Sequence, residues 1–377
     1  MTFFSLLNYA LNVVVSATWS IIKAIILLFK VVYFHIVFYI WCSSVVFYPH
    51  LILMTILEYW YFGTFVWISW IALSYIAKPF DKDSKVFSVL RVVLYPICAM
   101  HREFAGTYSL ITDPEGVNFE DKIINNERKS LILSGPHGFL SLGSGVASQK
   151  YPSTKVALAH VLAQNPQFDM NFKMGGYYNG CIKIKNTVIE EHLSKGGENL
   201  VVIPGGYYDL AFSSAEKYMI HTGKWRYYIK RALKYDYDIV FRWVFGEHHM
   251  YKLFPARKWC RYIPFYNKIK LLGARAGFHT TISYGRWGTM YPNDTHFRVT
   301  GYHVSTKKYT DELKKLSPTD NQYTELMNKY IEEIYKELIE KSKMRIDYAV
   351  KHDKIYGSDE SSYAFVENDK DVVREFF

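Results

Sequence analysis

An apolar run, Leu131 to Ser134, ends in Gly135-Pro136-His137-Gly138, and a second apolar run begins at Phe139. A buried strand has no need of a histidine flanked by proline and glycine at its end. Imidazole titrates near neutrality and takes a proton from a hydroxyl. Pro136 and Gly138 fix the backbone on either side and leave the ring room at a cleft. The sequence has no G-x-S-x-G and no other nucleophile motif. A lone histidine base suits direct transfer of an acyl group from an activated thioester to an alcohol, with no covalent intermediate. The tetrahedral oxyanion of that reaction needs N–H donors. Pro204-Gly205-Gly206 follows a second apolar run, and the amides of Gly205 and Gly206 are the candidates. An ordinary loop histidine is the bland alternative for His137.

These groups need elements to hold them. Strands are predicted at Ser130–Ser134, Leu200–Ile203, Ile239–Phe245, Thr280–Tyr284 and Phe297–Val304. Helices are predicted at Val188–Ser194, closed by Gly196-Gly197, and at Trp225–Lys234. The alternation predicts an α/β fold, a mixed sheet flanked by helices. Strand ends are where such a sheet carries its chemistry. Trp225, Tyr228, Ile229, Ala232 and Leu233 share one helix face, with Arg226, Lys230, Arg231 and Lys234 mostly on the other. The basic face is either solvated surface or a contact for a lipid phosphate or a nucleotide tail. A long helix is expected from Ser317-Pro318-Thr319-Asp320, with serine as cap and proline in the first turn. Leu326, Tyr330, Ile334 and Leu338 then recur at helical spacing.

The first eighty residues have another character. Val31–Phe47 carries no charge, and Leu51–Ala77 carries only Glu58. A bilayer core of ~30 Å needs about 20 apolar residues per helix. With only Tyr48-Pro49-His50 between them, the two runs predict a hairpin that enters a membrane and returns. Lys23 and Lys30 before it, and Lys78, Lys82, Lys85 and Arg91 after it, put both ends on the cytoplasmic side. Residues 3–29 are apolar with Asn8, Asn12 and Lys23, and suit an interfacial segment. A basic n-region, which a cleaved signal peptide needs, is absent. The expected organisation is an apolar interfacial segment over 1–30, a transmembrane hairpin over 31–77, a cytosol-facing domain over 78–349 and a loosely held polar tail over 350–377.

The four cysteines lie far apart, so neither a zinc site nor a disulfide framework is expected. The net charge of +10 implies an anionic partner: phosphate-bearing small molecules, a membrane surface or nucleic acid. The hairpin argues against nucleic acid, and the abundant tyrosines better suit a membrane interface. Glu247-His248-His249 resembles a metal cluster, but adjacent strand residues point to opposite faces. A polar loop is expected there, with Glu247 facing the cleft. Asn293-Asp294-Thr295 is a glycosylation sequon that a cytosolic domain leaves unused.

Taken in order, several stretches resemble the diacylglycerol O-acyltransferase type 2 family, which includes monoacylglycerol and wax-alcohol acyltransferases. LILSGPHGFLSLG resembles its strand, His-Pro-His-Gly and apolar run. VVIPGGYYDL, 201 to 210, resembles its strand, Gly-Gly and acid. KWRYYIKRALKYDYDIVFRWVFGE, 224 to 247, resembles its basic helix, strand and Phe-Gly-Glu. Leu94-Tyr95-Pro96, YGRWG (284 to 288) and VTGYHV (299 to 304) resemble three further elements. The resemblance covers roughly residues 50 to 345. It implies a glycerolipid-acyltransferase-like fold at the endoplasmic reticulum or a lipid droplet. It also implies acyl transfer from acyl-CoA to a glyceride hydroxyl, with acyl-CoA as co-substrate and no cofactor.

The second histidine of the family motif corresponds to His137, the implied catalytic base. The first is replaced by Gly135. Leu142 stands where the wider glycerolipid acyltransferases have an aspartate, which argues against a lysophospholipid acceptor. Asp209 and Glu247 are candidates to orient His137 by motif position. Arg226, Lys230 and Arg231 are candidates for the CoA phosphates. Pro136, Gly138, Gly205 and Gly206 complete the implied substrate site. Three readings stay open: a diacylglycerol acyltransferase, a monoacylglycerol or wax-alcohol acyltransferase, and a non-catalytic lipid-binding membrane protein on the same scaffold. A homo-oligomer is compatible with each.

Overall fold

The computed structural model describes residues 69, 71–93, 107–110, 119–125, 128–136, 141–159, 163, 166–213, 217–254, 263, 265–276, 282–285, 293, 296–352 and 362–376. They belong to one compact unit, Ser69–Phe377. The interfacial segment and nearly all of the hairpin lie outside them. Among the described residues no helix is long and apolar enough to cross a membrane.

The strands in chain order are β1 (Thr107–Leu110), β2 (Ser130–Gly135), β3 (Thr154–Leu158), β4 (Cys181–Lys183), β5 (Asn199–Val202), β6 (Lys217–His221), β7 (Asp238–Phe245), β8 (Lys252–Phe254), β9 (Ile282–Tyr284), β10 (His296–Val304) and β11 (Ser362–Val366). Seven form the main sheet in the order β1-β10-β7-β2-β5-β3-β4. The five from β7 to β4 run parallel. β10 runs antiparallel to β7, and β1 follows β10. The sheet is therefore mixed, as expected, and helices cover it.

The helices in chain order are α1 (Lys85–Val93), α2 (Phe119–Ile124), α3 (Leu142–Ala147), α4 (Pro166–Met174), α5 (Asn186–Lys195), α6 (Tyr207–Phe212), α7 (Trp225–Tyr235), α8 (Glu247–Met250), α9 (Tyr266–Ala276), α10 (Lys307–Leu313), α11 (Asn321–His352) and α12 (Asp369–Phe376). β2 and β7 are buried along their whole length, as parallel strands covered on both faces must be. Side chains alternate across the sheet. Leu131, Leu133, Ile239, Phe241, Trp243 and Phe245 join one large apolar cluster with α5, α7 and α11. Arg242, between two of those aromatics, turns to the opposite face.

Two expectations change. Asp320, not Ser317, caps the long helix: Oδ1 of Asp320 accepts from the Gln322 amide at 2.9 Å. Ser317 to Asp320 form a turn instead, closed by the Asp320 amide on the Ser317 carbonyl. Of the expected tail, the described residues 362–376 are also not loose. β11 adds to β6 in parallel register, Ser362 opposite Lys217 through Val366 opposite His221. Val366 and Val372 are fully buried beside Phe212 and Met219. The sequence conceals this because the buried side chains are few and their partner strand lies about 140 residues earlier.

Candidate active site

Three neighbouring parallel strands, β5, β2 and β7, end side by side. In register, Ser134 faces Arg242 and Gly135 faces Trp243, while Leu133 faces Val202. The ends of the three strands therefore lie at one edge of the sheet, the edge that carries ligands in open α/β folds.

On the β5 side, Pro204, Gly205 and Gly206 turn the chain into α6. Gly206 has φ 49° and ψ −132°, a conformation only glycine adopts without strain. The turn places Asp209 back under itself. A Cβ on Gly205 would collide with both carboxylate oxygens of Asp209, and a Cβ on Gly135 would sit 3.4 Å from its Oδ2. Asp209 is thus wedged between the β5 turn and the end of β2, and is 2% exposed.

On the β7 side, Gly246 at φ 100° starts α8. The expected polar loop is this helical turn, and Glu247, also 2% exposed, points inward. Its Oε1 accepts from the Ser144 amide at 2.9 Å. His248 packs against the Tyr218 ring, and the His249 carbonyl accepts from the Asn293 side chain. Among the described residues no cluster could hold a metal ion.

Behind β2 lies a group that the sequence reading passed over. Arg242 is fully buried. It donates Nη1 to Ser148 Oγ at 2.7 Å, Nη2 to the Ser144 carbonyl at 2.9 Å, and Nε and Nη2 to Ser134 Oγ at 3.2 Å. Ser134 and Ser144 pair through their hydroxyls at 2.8 Å. Tyr151 presents its ring to the guanidinium and donates its O–H to buried Glu120. Burial pushes the Glu120 carboxyl above the usual range. The signal was available: a lone arginine inside the apolar run DIVFRWVF must face a polar interior or solvent.

Pro136 is buried and follows Gly135 through a cis peptide bond. His137 and Gly138 lie outside the described residues, as do Leu94-Tyr95-Pro96 and all but Tyr284-Gly285 of YGRWG. The basic helix α7 forms with its apolar face buried, as expected. Its arginines are engaged within the fold. Arg226 pairs with Glu332 and Glu367 and stacks 3.7 Å over Tyr335. Arg231 pairs with Glu190 and stacks 3.2 Å over Tyr227. Lys230 is solvent-exposed.

A family model described as diacylglycerol acyltransferase matches residues 114–355. The chain belongs to the diacylglycerol acyltransferase family. Diacylglycerol O-acyltransferase 2 of Rattus norvegicus is 27% identical over 201 residues, 48% of this chain and 50% of the rat protein. Its Mus musculus counterpart is 26% identical over the same shares, and the Bos taurus protein is 26% identical over 42% and 45%. The chain therefore spans about half the length of the curated relatives it matches. No solved structure matches it. The matched range takes in the ends of β2, β5 and β7 and stops before β11 and α12.

Proposed function

We propose that the chain transfers an acyl group from acyl-CoA to the hydroxyl of a neutral glycerolipid, diacylglycerol first, giving triacylglycerol. The observation that carries this reading is the edge itself. Two buried carboxylates lie at the two ends of the segment that carries His137, Asp209 against Gly135 at the end of β2 and Glu247 against Gly143 and the Ser144 amide at the start of α3, in a chain of the diacylglycerol acyltransferase family. In the proposed reaction His137 takes the alcohol proton as the oxygen attacks the thioester carbonyl carbon, a contribution of ~10²–10⁴ in rate. The C–O bond forms, the carbonyl becomes an oxyanion, and the Gly205 amide is the proposed donor to it. Collapse breaks the C–S bond. CoA leaves as thiolate and takes the proton back from His137, so protons balance with no added reactant.

The remaining assignments are proposals of the same reading. Residues 31–77 are proposed to form a hairpin in the endoplasmic reticulum or lipid-droplet surface, with residues 78–349 facing the cytosol. Lys230, exposed on α7, is the proposed contact for CoA phosphates, since Arg226 and Arg231 hold carboxylates of the chain. The test uses membranes from cells without background neutral-lipid synthesis, given labelled acyl-CoA and a panel of acceptors. A labelled triglyceride, diglyceride or wax ester made by wild type and lost in His137→Ala supports the reaction and names the acceptor. No product from folded protein overturns it in favour of the lipid-binding reading, which the glycine at 135 favours.

A further inference from the structure

The geometry points to Arg242 as a positioning residue for the segment that carries His137. The inference rests on the reading of His137 as the base. Residues 134 and 144 bound that segment, one at the end of β2 and one in the first turn of α3. A single guanidinium reaches both: Nε and Nη2 to Ser134 Oγ, and Nη2 to the Ser144 carbonyl. The serine hydroxyls close the same gap directly at 2.8 Å. Glu247 holds the Ser144 amide from the far side. Strand end and helix start are therefore cross-linked through one side chain fixed on a third element, β7.

Solubility gives no reason for an arginine here, since it is fully buried. Removing a guanidinium from water is costly unless its donors are used. Here they are used, on oxygens at both ends of one segment. The planar fork of arginine serves this purpose, whereas a lysine ammonium is a point donor on a flexible stem. Ser148, at the end of α3, receives the third contact at 2.7 Å and donates its own hydroxyl to the Ser144 carbonyl at 2.9 Å, a bond that stays within α3 and does not reach residue 134.

That difference supplies the test. Ser134→Ala and Ser148→Ala each delete one buried hydroxyl from the same guanidinium, but only the first removes a contact spanning 134 to 144. Initial rates with labelled acyl-CoA, thermal melts and amide exchange would be measured on the full-length protein. A displaced catalytic group loses rate steeply, so Ser134→Ala is expected to lower kcat about tenfold or more. Its KM for acyl-CoA stays within about twofold, because ground-state binding is untouched. Ser148→Ala is expected to leave kcat within about twofold of wild type at a matched loss of Tm. Exchange across residues 134–144 should quicken in Ser134→Ala and in Arg242→Met, and stay near wild type in Ser148→Ala. Equal kcat losses tracking Tm, or unchanged exchange in Ser134→Ala, would overturn the inference. If wild type shows no turnover, the acyl-transfer reading falls, and the exchange contrast alone decides whether Arg242 holds the segment.

Discussion

Gly205→Ala tests the wedge that holds Asp209. The new Cβ would fall within the envelope of the carboxylate, touching Oδ1, Cγ and Oδ2 together. Nonbonded atoms settle at about 3.5–4.0 Å, so the carboxylate must move by roughly an ångström or more. It has nowhere to go without cost, since Asp209 is 2% exposed and Gly135 closes its other side. A shift of ~1 Å in a positioned group costs ~10²-fold in rate, and overpacking costs ~1–3 kcal/mol in stability. The expected result in the labelled acyl-CoA assay is a kcat about a hundredfold lower, from a protein whose melt falls by a few degrees. Gly135→Ala is the control. Its Cβ meets Oδ2 at 3.4 Å, an ordinary contact, so kcat should hold within about threefold, less than ~1 kcal/mol. In an Asp209→Ala background the obstruction is gone, and Gly205→Ala should add almost nothing. If it still costs a further hundredfold there, Gly205 acts independently of Asp209 and the wedge argument fails.

Gly143→Ala would press a Cβ to 2.6 Å from Val244 and 2.8 Å from Glu247 Oε1; a loss of ~1–3 kcal/mol is expected by thermal melt, with faster exchange of the Ser144 amide. Truncation after His352 removes β11 and α12, strips the pairing from β6 and uncovers the Phe212–Met219 cluster. At ~1.5–3 kcal/mol per buried apolar side chain, it should cost at least ~3 kcal/mol, and a truncated protein melting with wild type would refute the docked tail. Burial, with Lys224 nearby, holds His221 down at about 4 from 6.5. The folded value is depressed, so its contribution is intact above 6.5 and is lost as pH falls toward 4. At ~1.4 kcal/mol per pH unit the loss is up to ~3 kcal/mol, and His221→Phe should flatten stability over that window.

The strands that build the site edge could be read from the sequence because each is a compact apolar run stopped by glycine or proline. β2, β5, β7 and β10 all fall within a residue or two of expectation. The Pro204-Gly205-Gly206 turn after β5 could be read for the same reason. What escaped depends on tertiary partners. β3 and β4 carry lysines and are only five and three residues long, so neither period nor propensity marks them. β6 and β11 pair although Lys217 and Ser362, opposite each other, lie far apart in the chain. The basic face of α7 reads as a phosphate site until Glu190, Glu332 and Glu367 arrive from three other segments. Arg242 is legible as an anomaly, a charge in a buried strand, but Ser134, Ser144 and Ser148 gain meaning only beside it.

Glu247 and Asp209 are equal candidates by motif, and the geometry separates them. Glu247 directs one oxygen to the Ser144 amide at 2.9 Å and abuts Gly143, so its contacts run to the helix that follows the segment. Asp209 abuts Gly135, the residue that, by the resemblance drawn from the sequence, stands in place of the first histidine of the motif. With glycine there, His137 is the one imidazole the motif offers. We therefore propose Asp209 as the partner that orients His137 and Glu247 as an anchor of α3. Glu247→Gln keeps an oxygen that can accept from Ser144 while losing the charge, and should leave the pH midpoint of kcat/KM near wild type. Asp209→Asn removes the anion that favours imidazolium, and should lower that midpoint and reduce kcat. A midpoint that moves in Glu247→Gln and holds in Asp209→Asn would reverse the assignment.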